Sequence, residues 1–303
     1  MRLEKFAACV GIAPLLMGAA EPVRLQPSSQ WIVDYAENSC RMIRSFGEGD
    51  SKVIMLLESE SPGDMDMVLT GKPLKSEREG IVLKFLPHQE PTSKGHPVTA
   101  KGQPGILFSD IQLLPPDEAA KMAADRAERI AKPNVRPPAT ELAEELKHRS
   151  KAAEFAETAT EMAIDTRPGR PVILETGELG KPIKAFDQCS RDSLSDWGVD
   201  PGLEDKIVRP VWLANNGRWL SADDYPTKML DEWQQSEVKV RVLVDPSGHV
   251  TKCTSLSHFR LPQFNKVVCD KITNNAKFAP AELADGTKVL SYYTVHIMFR
   301  IAA

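Results

Sequence analysis

The chain has 303 residues, with 38 Lys and Arg against 42 Asp and Glu and a formal net charge of −4. That length fits two domains. The balance is mildly acidic and shows no basic stripe, which leaves nucleic acid without an electrostatic footprint, and no nucleic-acid partner is expected.

Residues 1–20 have the pattern of a cleaved export signal. Arg2 and Lys5 form a cationic start, Phe6 to Met17 is apolar, and Gly18-Ala19-Ala20 places small residues before Glu21-Pro22. The apolar run is broken by Pro14 and falls short of the roughly 20 residues a bilayer span requires. No stable membrane span is therefore expected, and a retained inner-membrane tether is the competing reading. Cys9 sits too early for a lipoprotein cleavage site. Removing 1–20 leaves Cys40, Cys189, Cys253 and Cys269. An even number in an exported chain argues for two disulfides, although four cysteines allow three pairings. Metal binding is the alternative, but no Cys-x-x-Cys pair and no His at ligand spacing supports it.

Residues 21–199 read as a β-rich domain. Strands are expected at Trp31–Tyr35, Cys40–Phe46, Lys52–Leu57, Met65–Leu69, Ile81–Leu86 and Ile106–Leu114, separated by Gly and Pro breaks. That spacing suggests a sandwich or a rolled antiparallel sheet. The alternation of Asp64 and Asp66 with Met65 and Met67 points both carboxylates to water. His88 and His96 fall in a Pro/Gly-rich stretch expected as an exposed loop, with a weak metal site as the alternative.

A helical insertion follows at about 117–160. Asp117 is placed to cap a helix over 118–131, and a second Ala/Glu/Lys segment runs from about Thr140 to Ala159. Large apolar residues are scarce on both, which predicts a solvated excursion; a partner-binding arm is the other reading. Strands return at Glu161–Thr166 and Pro171–Thr176, around an Arg-Pro-Gly-Arg turn. A helix then carries Phe186, Cys189, Ser193 and Trp197 and stops at Gly198. Cys189 is paired with Cys40, because both belong to this domain. Residues 200–222, rich in turn signals, read as a linker with a few docked aromatics.

In 223–303, Val238, Val240, Val242 and Val244 alternate with Lys239, Arg241 and Leu243, so one face of this strand is expected buried and the other wet. Asp245-Pro246-Ser247-Gly248 supplies a turn, and Val250–Ser255 returns. Leu261, Phe264, Val268, Cys269 and Ile272 fall at helical spacing, which brings Cys269 within reach of Cys253. In the final strand Val289, Ser291, Tyr293, Val295, Ile297, Phe299 and Ile301 face one way, and Leu290, Tyr292, Thr294, His296, Met298 and Arg300 the other. A long last strand in a small sheet has reason to lie at an edge, where unpaired N–H and C=O groups can accept a guest strand.

The order Tyr225-Pro226, strand–turn–strand with Asp245 and Gly248, helix around Phe264, Phe278-Ala279-Pro280-Ala281 and Asp285-Gly286 resembles the C-terminal domain of the TonB family over about 225–301. The resemblance implies an α/β unit with helices on one side of a three-stranded antiparallel sheet. In that family the sheet edge and the Tyr-Pro segment contact a short peptide of an outer-membrane receptor. It therefore implies Tyr225, Pro226, Tyr292, Thr294, His296 and Met298 as a contact surface, with an outer-membrane receptor or other envelope protein as partner. TonB also has an uncleaved membrane helix and a long Pro-rich rod, which this chain replaces with a cleavable signal and a folded domain. The first domain, through Cys40 with Phe46-Gly47-Glu48-Gly49 and the helix with Cys189 and Trp197-Gly198, resembles an uncharacterised region that accompanies such domains in exported bacterial proteins.

No Gly-x-Ser-x-Gly, His-Glu-x-x-His or phosphate-binding Gly-rich loop is present. Gly47-Glu-Gly49-Asp-Ser-Lys52 lacks the spacing of such a loop, and His249 and His258 are expected at the surface. The expected protein is α+β, periplasmic and non-enzymatic, without cofactor or metal, and binds peptide segments by strand addition. An assembly module without peptide binding is the alternative, and an enzyme with a site in the first domain the third reading. N-terminal sequencing after expression in a Gram-negative host is expected to start at Glu21, in the periplasmic fraction. An intact Met1 in the inner-membrane fraction identifies the tethered form instead.

Overall fold

The computed structural model describes residues 21–88, 91–100, 102–131, 151–166, 169–215, 218–256 and 261–301. The export signal, the first part of the second expected helix and His258 lie outside the described residues. The fold is α+β.

The first unit is built on β1 (Val23–Leu25), β2 (Ile32–Tyr35), β3 (Cys40–Phe46), β4 (Val53–Ser59), β5 (Asp66–Thr70), β6 (Ile81–Leu86), β7 (Ser93–Ala100), β8 (Gln103–Phe108), β9 (Glu161–Asp165) and β10 (Val172–Leu174). They form one sheet in the order β1-β10-β9-β6-β7-β8-β5-β4-β3-β2, antiparallel except for the β1–β10 pair. Beyond β1 the chain crosses to the other end of the sheet. The Gln26 carbonyl accepts from the Gly47 N–H and the Ser28 N–H donates to the Ser45 carbonyl, each at 2.8 Å. The sheet is thereby rolled up on itself. Alternate residues point inward, as the period of two requires: Val53, Met55 and Leu57 on β4, Met67 and Leu69 on β5, and Ile81, Leu83 and Phe85 on β6 are all buried in one apolar core.

Two strands escape the sequence pattern, β1 and β7. β7 carries Gly95 and Pro97, which lower its apparent strand propensity. A Cβ on Gly95 would lie 2.6 Å from the side chains of Ile106 and Phe108, so the pairing with β6 and β8 requires glycine there. His96 consequently sits on a strand, with Nδ1 2.6 Å from Glu79, and not in a loop. His88 stacks on Phe155 with centroids 4.1 Å apart and bonds Thr158. The strand expected over 106–114 ends at Phe108.

The helix α1 (Pro116–Ala131) starts one residue ahead of its expected cap, with Pro116 at its first position. Residues 151–158 form α2. α2 is not a solvated excursion: Phe155 and Ala156 are buried in the rolled-sheet core. One phenylalanine docks it, a signal too sparse for the overall composition to reveal. Next, α3 (Gly180–Asp196) buries Phe186, Cys189, Ser190 and Leu194, and Gly198 follows at a φ of 83°. Cys189 is bonded to Cys40, with Cα atoms 5.9 Å apart.

The second unit begins before its expected start. After α4 (Pro201–Glu204), β11 (Ile207–Arg209) and β12 (Trp212–Leu213) occupy the stretch read as a linker. Then come α5 (Thr227–Asp231), β13 (Ser236–Val244), β14 (Val250–Ser255), α6 (Pro262–Asn275), β15 (Phe278–Ala279), β16 (Ala281–Leu283), β17 (Lys288–Val289) and β18 (Ser291–Phe299). β11 pairs with β16 and β12 with β15, so the Phe-Ala-Pro-Ala segment clasps 207–213. Ile207, Val211, Leu213 and Trp219 share a core with Val238, Val240, Val242, Phe264, Val268 and Ile272. The principal sheet is antiparallel in the order β14-β13-β18. Gly248 closes the β13–β14 turn at a φ of 86°, and a Cβ there would lie 2.5 Å from the Phe278 carbonyl oxygen. Cys253 on β14 is bonded to Cys269 on α6.

The Cys40–Cys189 bond closes a separation of 149 residues. Replacing both cysteines by alanine is expected to cost about 2–5 kcal/mol, read as a lowered urea midpoint. A loss under about 1 kcal/mol would show that the packing of Phe186 and Ile183 and the buried Ser190–Ser59 hydrogen bond hold α3 on the sheet without the disulfide.

Candidate functional site

The direction of backbone groups along β13 determines what the last strand leaves open. The Leu256 N–H donates to the Lys239 carbonyl at 2.8 Å, and the Asp245 N–H to the His249 carbonyl at 2.9 Å, so odd-numbered residues of β13 bond toward β14. Antiparallel alternation then turns Val238, Val240 and Val242 toward β18, where they face Ile297, Val295 and Tyr293. The residues between these on β18, Thr294, His296 and Met298, direct their N–H and C=O groups away from the sheet. Among the described residues no strand lies beyond them. The result is an open hydrogen-bonding edge about 14 Å long.

The two faces of β18 have different surroundings. Tyr293, Val295, Ile297 and Phe299 contribute to the core beneath α6. Tyr225 packs edge-on against Phe264 and Phe299, with centroids 5.5 and 5.4 Å apart, and its hydroxyl donates to the Gln234 carbonyl at 2.5 Å. Burial pushes its phenol up from the ordinary value. Pro226 precedes α5 as its N-cap residue. Tyr225 therefore braces the end of β18 from the helical side. Tyr292, Thr294, His296 and Met298 are on the other face.

That other face was expected to be wet. Instead, its middle is covered by the first domain. Arg241 is only 3% exposed. Its guanidinium carbon lies 3.3 Å from the centroid of the Trp197 ring and one N–H donates to the Glu60 carbonyl at 2.7 Å. Burial lowers its pKa to about 10, which leaves it cationic at neutral pH. Lys239 lies 2.7 Å from Glu60, 3.6 Å from Asp64 and 3.7 Å from Asp66. Burial by itself disfavours the Lys239 ammonium, but Asp64 and Glu60 outweigh it and raise its pKa above the ordinary value. Asp64 and Asp66 thus approach this lysine while staying partly open to water, and burial raises the carboxyl pKa of Asp66. Leu243, Leu290 and Tyr292 pack with Leu194, Trp197 and Val199. Tyr292 meets Trp197 edge-on at 5.5 Å, and the Ser291 hydroxyl donates to Glu204 at 2.9 Å.

The first domain covers the face only as far as this cluster. The Thr294 hydroxyl is buried and has no hydrogen-bond partner among the described residues. His296 is exposed, with Nε2 2.5 Å from Glu237, and Met298 is 46% exposed. Of the six contact residues implied by the resemblance, the structure aligns Thr294, His296 and Met298 along the open edge. Tyr292 lies beneath the first domain, Tyr225 packs on the opposite side, and Pro226 caps α5.

Residues 221–301 match the family model of the Gram-negative bacterial TonB protein C-terminal. No curated protein matches the chain. The matched span begins at the Ser221 capping box and ends with β18, so the TonB-like domain contains the whole β14-β13-β18 sheet and α6. The strands β11 and β12, which complete its core, lie ahead of the match. Among the described residues no helix is long and apolar enough to cross a membrane, and no group of His, Cys, Asp and Glu side chains is arranged to hold a metal ion.

Sequence reasoning missed Arg241 as an interdomain anchor, because strand alternation alone cannot distinguish water from a second protein surface. It also missed Trp233, which ends α5 in the left-handed region at a φ of 54° and is 74% exposed. The Trp233 N–H donates to the Leu230 carbonyl and the Gln234 N–H to the Met229 carbonyl, the helix-ending arrangement in which this position usually holds glycine.

Arg241→Ala is expected to weaken the docking of the two domains by about 2–4 kcal/mol, from loss of a desolvated cation–π contact and a buried charge-assisted hydrogen bond. Calorimetry of this variant is expected to resolve the TonB-like domain as a separate transition. A single unshifted transition would show that the apolar cluster suffices.

Proposed function

We propose that the protein is a periplasmic binding protein whose TonB-like domain takes an extended segment of an outer-membrane receptor, or of another envelope component, as a fourth strand beside β18. The observation that carries this reading is the row of outward N–H and C=O groups at Thr294, His296 and Met298. Main-chain bonds to such a row supply affinity, and side chains alternating on the two faces supply selectivity. Each bond contributes about 0.5–1.5 kcal/mol net, so a guest on this short edge gains part of its affinity from side-chain contacts. The family match supports the same reading, and two disulfides suit an oxidising compartment. In this reading the domain serves TonB-dependent transport or a related envelope process as a binding module, and no catalytic step is assigned to it.

A second reading draws on the docked sheet face. An assembly module can use the TonB-like domain as a rigid partner of the first domain and bind no peptide. The two readings differ at the edge, because the Arg241 contacts engage the face of the sheet and leave the outward groups of β18 unused.

A pair of proline variants in the full chain separates them, with short receptor peptides as probes and fluorescence anisotropy as readout. The His296 N–H points outward, so His296→Pro keeps the β13 ladder and is expected to weaken peptide binding at least tenfold with little change in melting temperature. The Val295 N–H bonds inward, and Val295→Pro is expected to unfold the domain. Unchanged binding by folded His296→Pro, or no peptide binding by the wild type, favours the assembly module.

A further inference from the structure

Strand β4 is apolar on both faces. Val53, Met55 and Leu57 fill the core of the rolled sheet, while Ile54 and Leu56 alternate to its outside. A near-continuous apolar run of this kind marks a strand covered on both sides. The register extends the pattern over five strands. Ile32, Ile43, Leu56, Val68 and Leu107 are successive cross-strand partners on β2, β3, β4, β5 and β8, and Ile54 stands one row away. None of these six belongs to an apolar core among the described residues, and Ile32 and Ile54 are 54% and 40% exposed.

The rows on either side of this apolar band carry opposite charge. One flank is the row Asp34, Arg41, Glu58 and Asp66, three carboxylates against one guanidinium. Arg41 bonds Glu58 at 2.9 Å, and Lys239 of the TonB-like domain lies 3.7 Å from Asp66, so this flank borders the contact between the domains. The other flank holds Lys52, exposed and extended ahead of β4, and Lys72, which pairs with Asp50 at the same end of the sheet. Along the outside of β4 the order is therefore Lys52, Ile54, Leu56, Glu58: a base, two apolar residues and an acid.

Such an order is complementary to its own reverse. A two-fold axis between two such faces, running across the strands midway between Ile54 and Leu56, lays the two β4 strands over each other antiparallel. It sets Ile54 on the second copy's Leu56 and Lys52 on its Glu58, each pair occurring twice. Aligned sheets pack in this way, with their inner side chains interdigitated. The face measures about 20 Å across its five strands and about 20 Å from Lys52 to Glu58. Two copies bury an area at the low end of specific interfaces, which suits a reversible dimer.

We propose that the outer face of β2, β3, β4, β5 and β8 joins two copies of this chain, sheet on sheet, through the Ile54 and Leu56 rows. The TonB-like domain meets the first domain beyond the acidic flank, so the axis directs the two TonB-like domains toward opposite ends of the joined faces. This inference draws on the first domain and stands apart from strand addition at β18.

Sedimentation velocity of the full-length protein over a concentration series tests it. The wild type is expected to show a monomer–dimer equilibrium with a dissociation constant on the order of ten micromolar. Leu56→Gln, outside the core, is expected to weaken association about tenfold, because the change enters the contact twice. Lys52→Glu is expected to weaken it about threefold or more by setting acid against acid. Both variants are expected to keep the wild-type melting temperature. A monomer at every concentration overturns the proposal, as does a dimer that neither variant weakens. A dimer that His296→Pro abolishes and Leu56→Gln leaves intact assigns the contact to β18 and overturns it as well.

Discussion

The arrangement of the whole chain depends on one buried cation. Arg241 projects from the face of β13 opposite α6 and lies flat on Trp197 while donating to the Glu60 carbonyl. A guanidinium removed from water is stable only with an aromatic face or acceptors to replace its hydration, and the first domain provides both. Two residues away, Lys239 satisfies Glu60 and two further carboxylates, and Leu243 adds apolar contact on the other side. The central strand β13 is therefore buried on both faces, by its own helix and by a neighbouring domain.

This burial limits what the sheet can offer a partner. With both faces occupied along Arg241 and Leu243, the remaining polar backbone surface of this sheet lies at its two outer edges, β14 and β18. The first domain touches β18 only at its start, around Leu290 and Tyr292, and leaves the outer edge of the strand open. Fixing that strand in advance lowers the ordering cost of adding another beside it. The rolled sheet contributes by holding Trp197 in place: Cys189 and Phe186 tie α3 to the sheet, and Trp197 ends that helix. A disulfide in one domain thereby positions the aromatic ring on which the other domain rests.

Much of the fold was legible in the sequence because its signals are local. The valines at 238, 240, 242 and 244, the turn at Asp245–Gly248 and the helical spacing of Phe264, Val268 and Ile272 each specify their element without reference to the rest of the chain. The edge residues of β18 were legible in the same way, since a period of two separates them from the core side. The failures are equally particular. Gly95 and Pro97 concealed β7, because that strand is set by close packing against Phe108 and not by propensity. Residues 207–213 resembled a linker because two short strands with no partner nearby in sequence carry no periodic signal; their partners are some seventy residues on.

Sequence alone determined β13, β14, α6 and β18 of the TonB-like domain, its bracing disulfide and the alternation that separates core from edge, because these follow from backbone geometry and from residues close together in the chain. Only the tertiary structure decided that the face with Lys239 and Arg241 is dry, that Asp64 and Asp66 look toward a lysine, and that Trp233 is left exposed at the end of α5. The reason is physical. A charged residue at a strand position reads the same whether it meets water or a complementary surface, and only the approach of residues nearly two hundred positions away distinguishes the two.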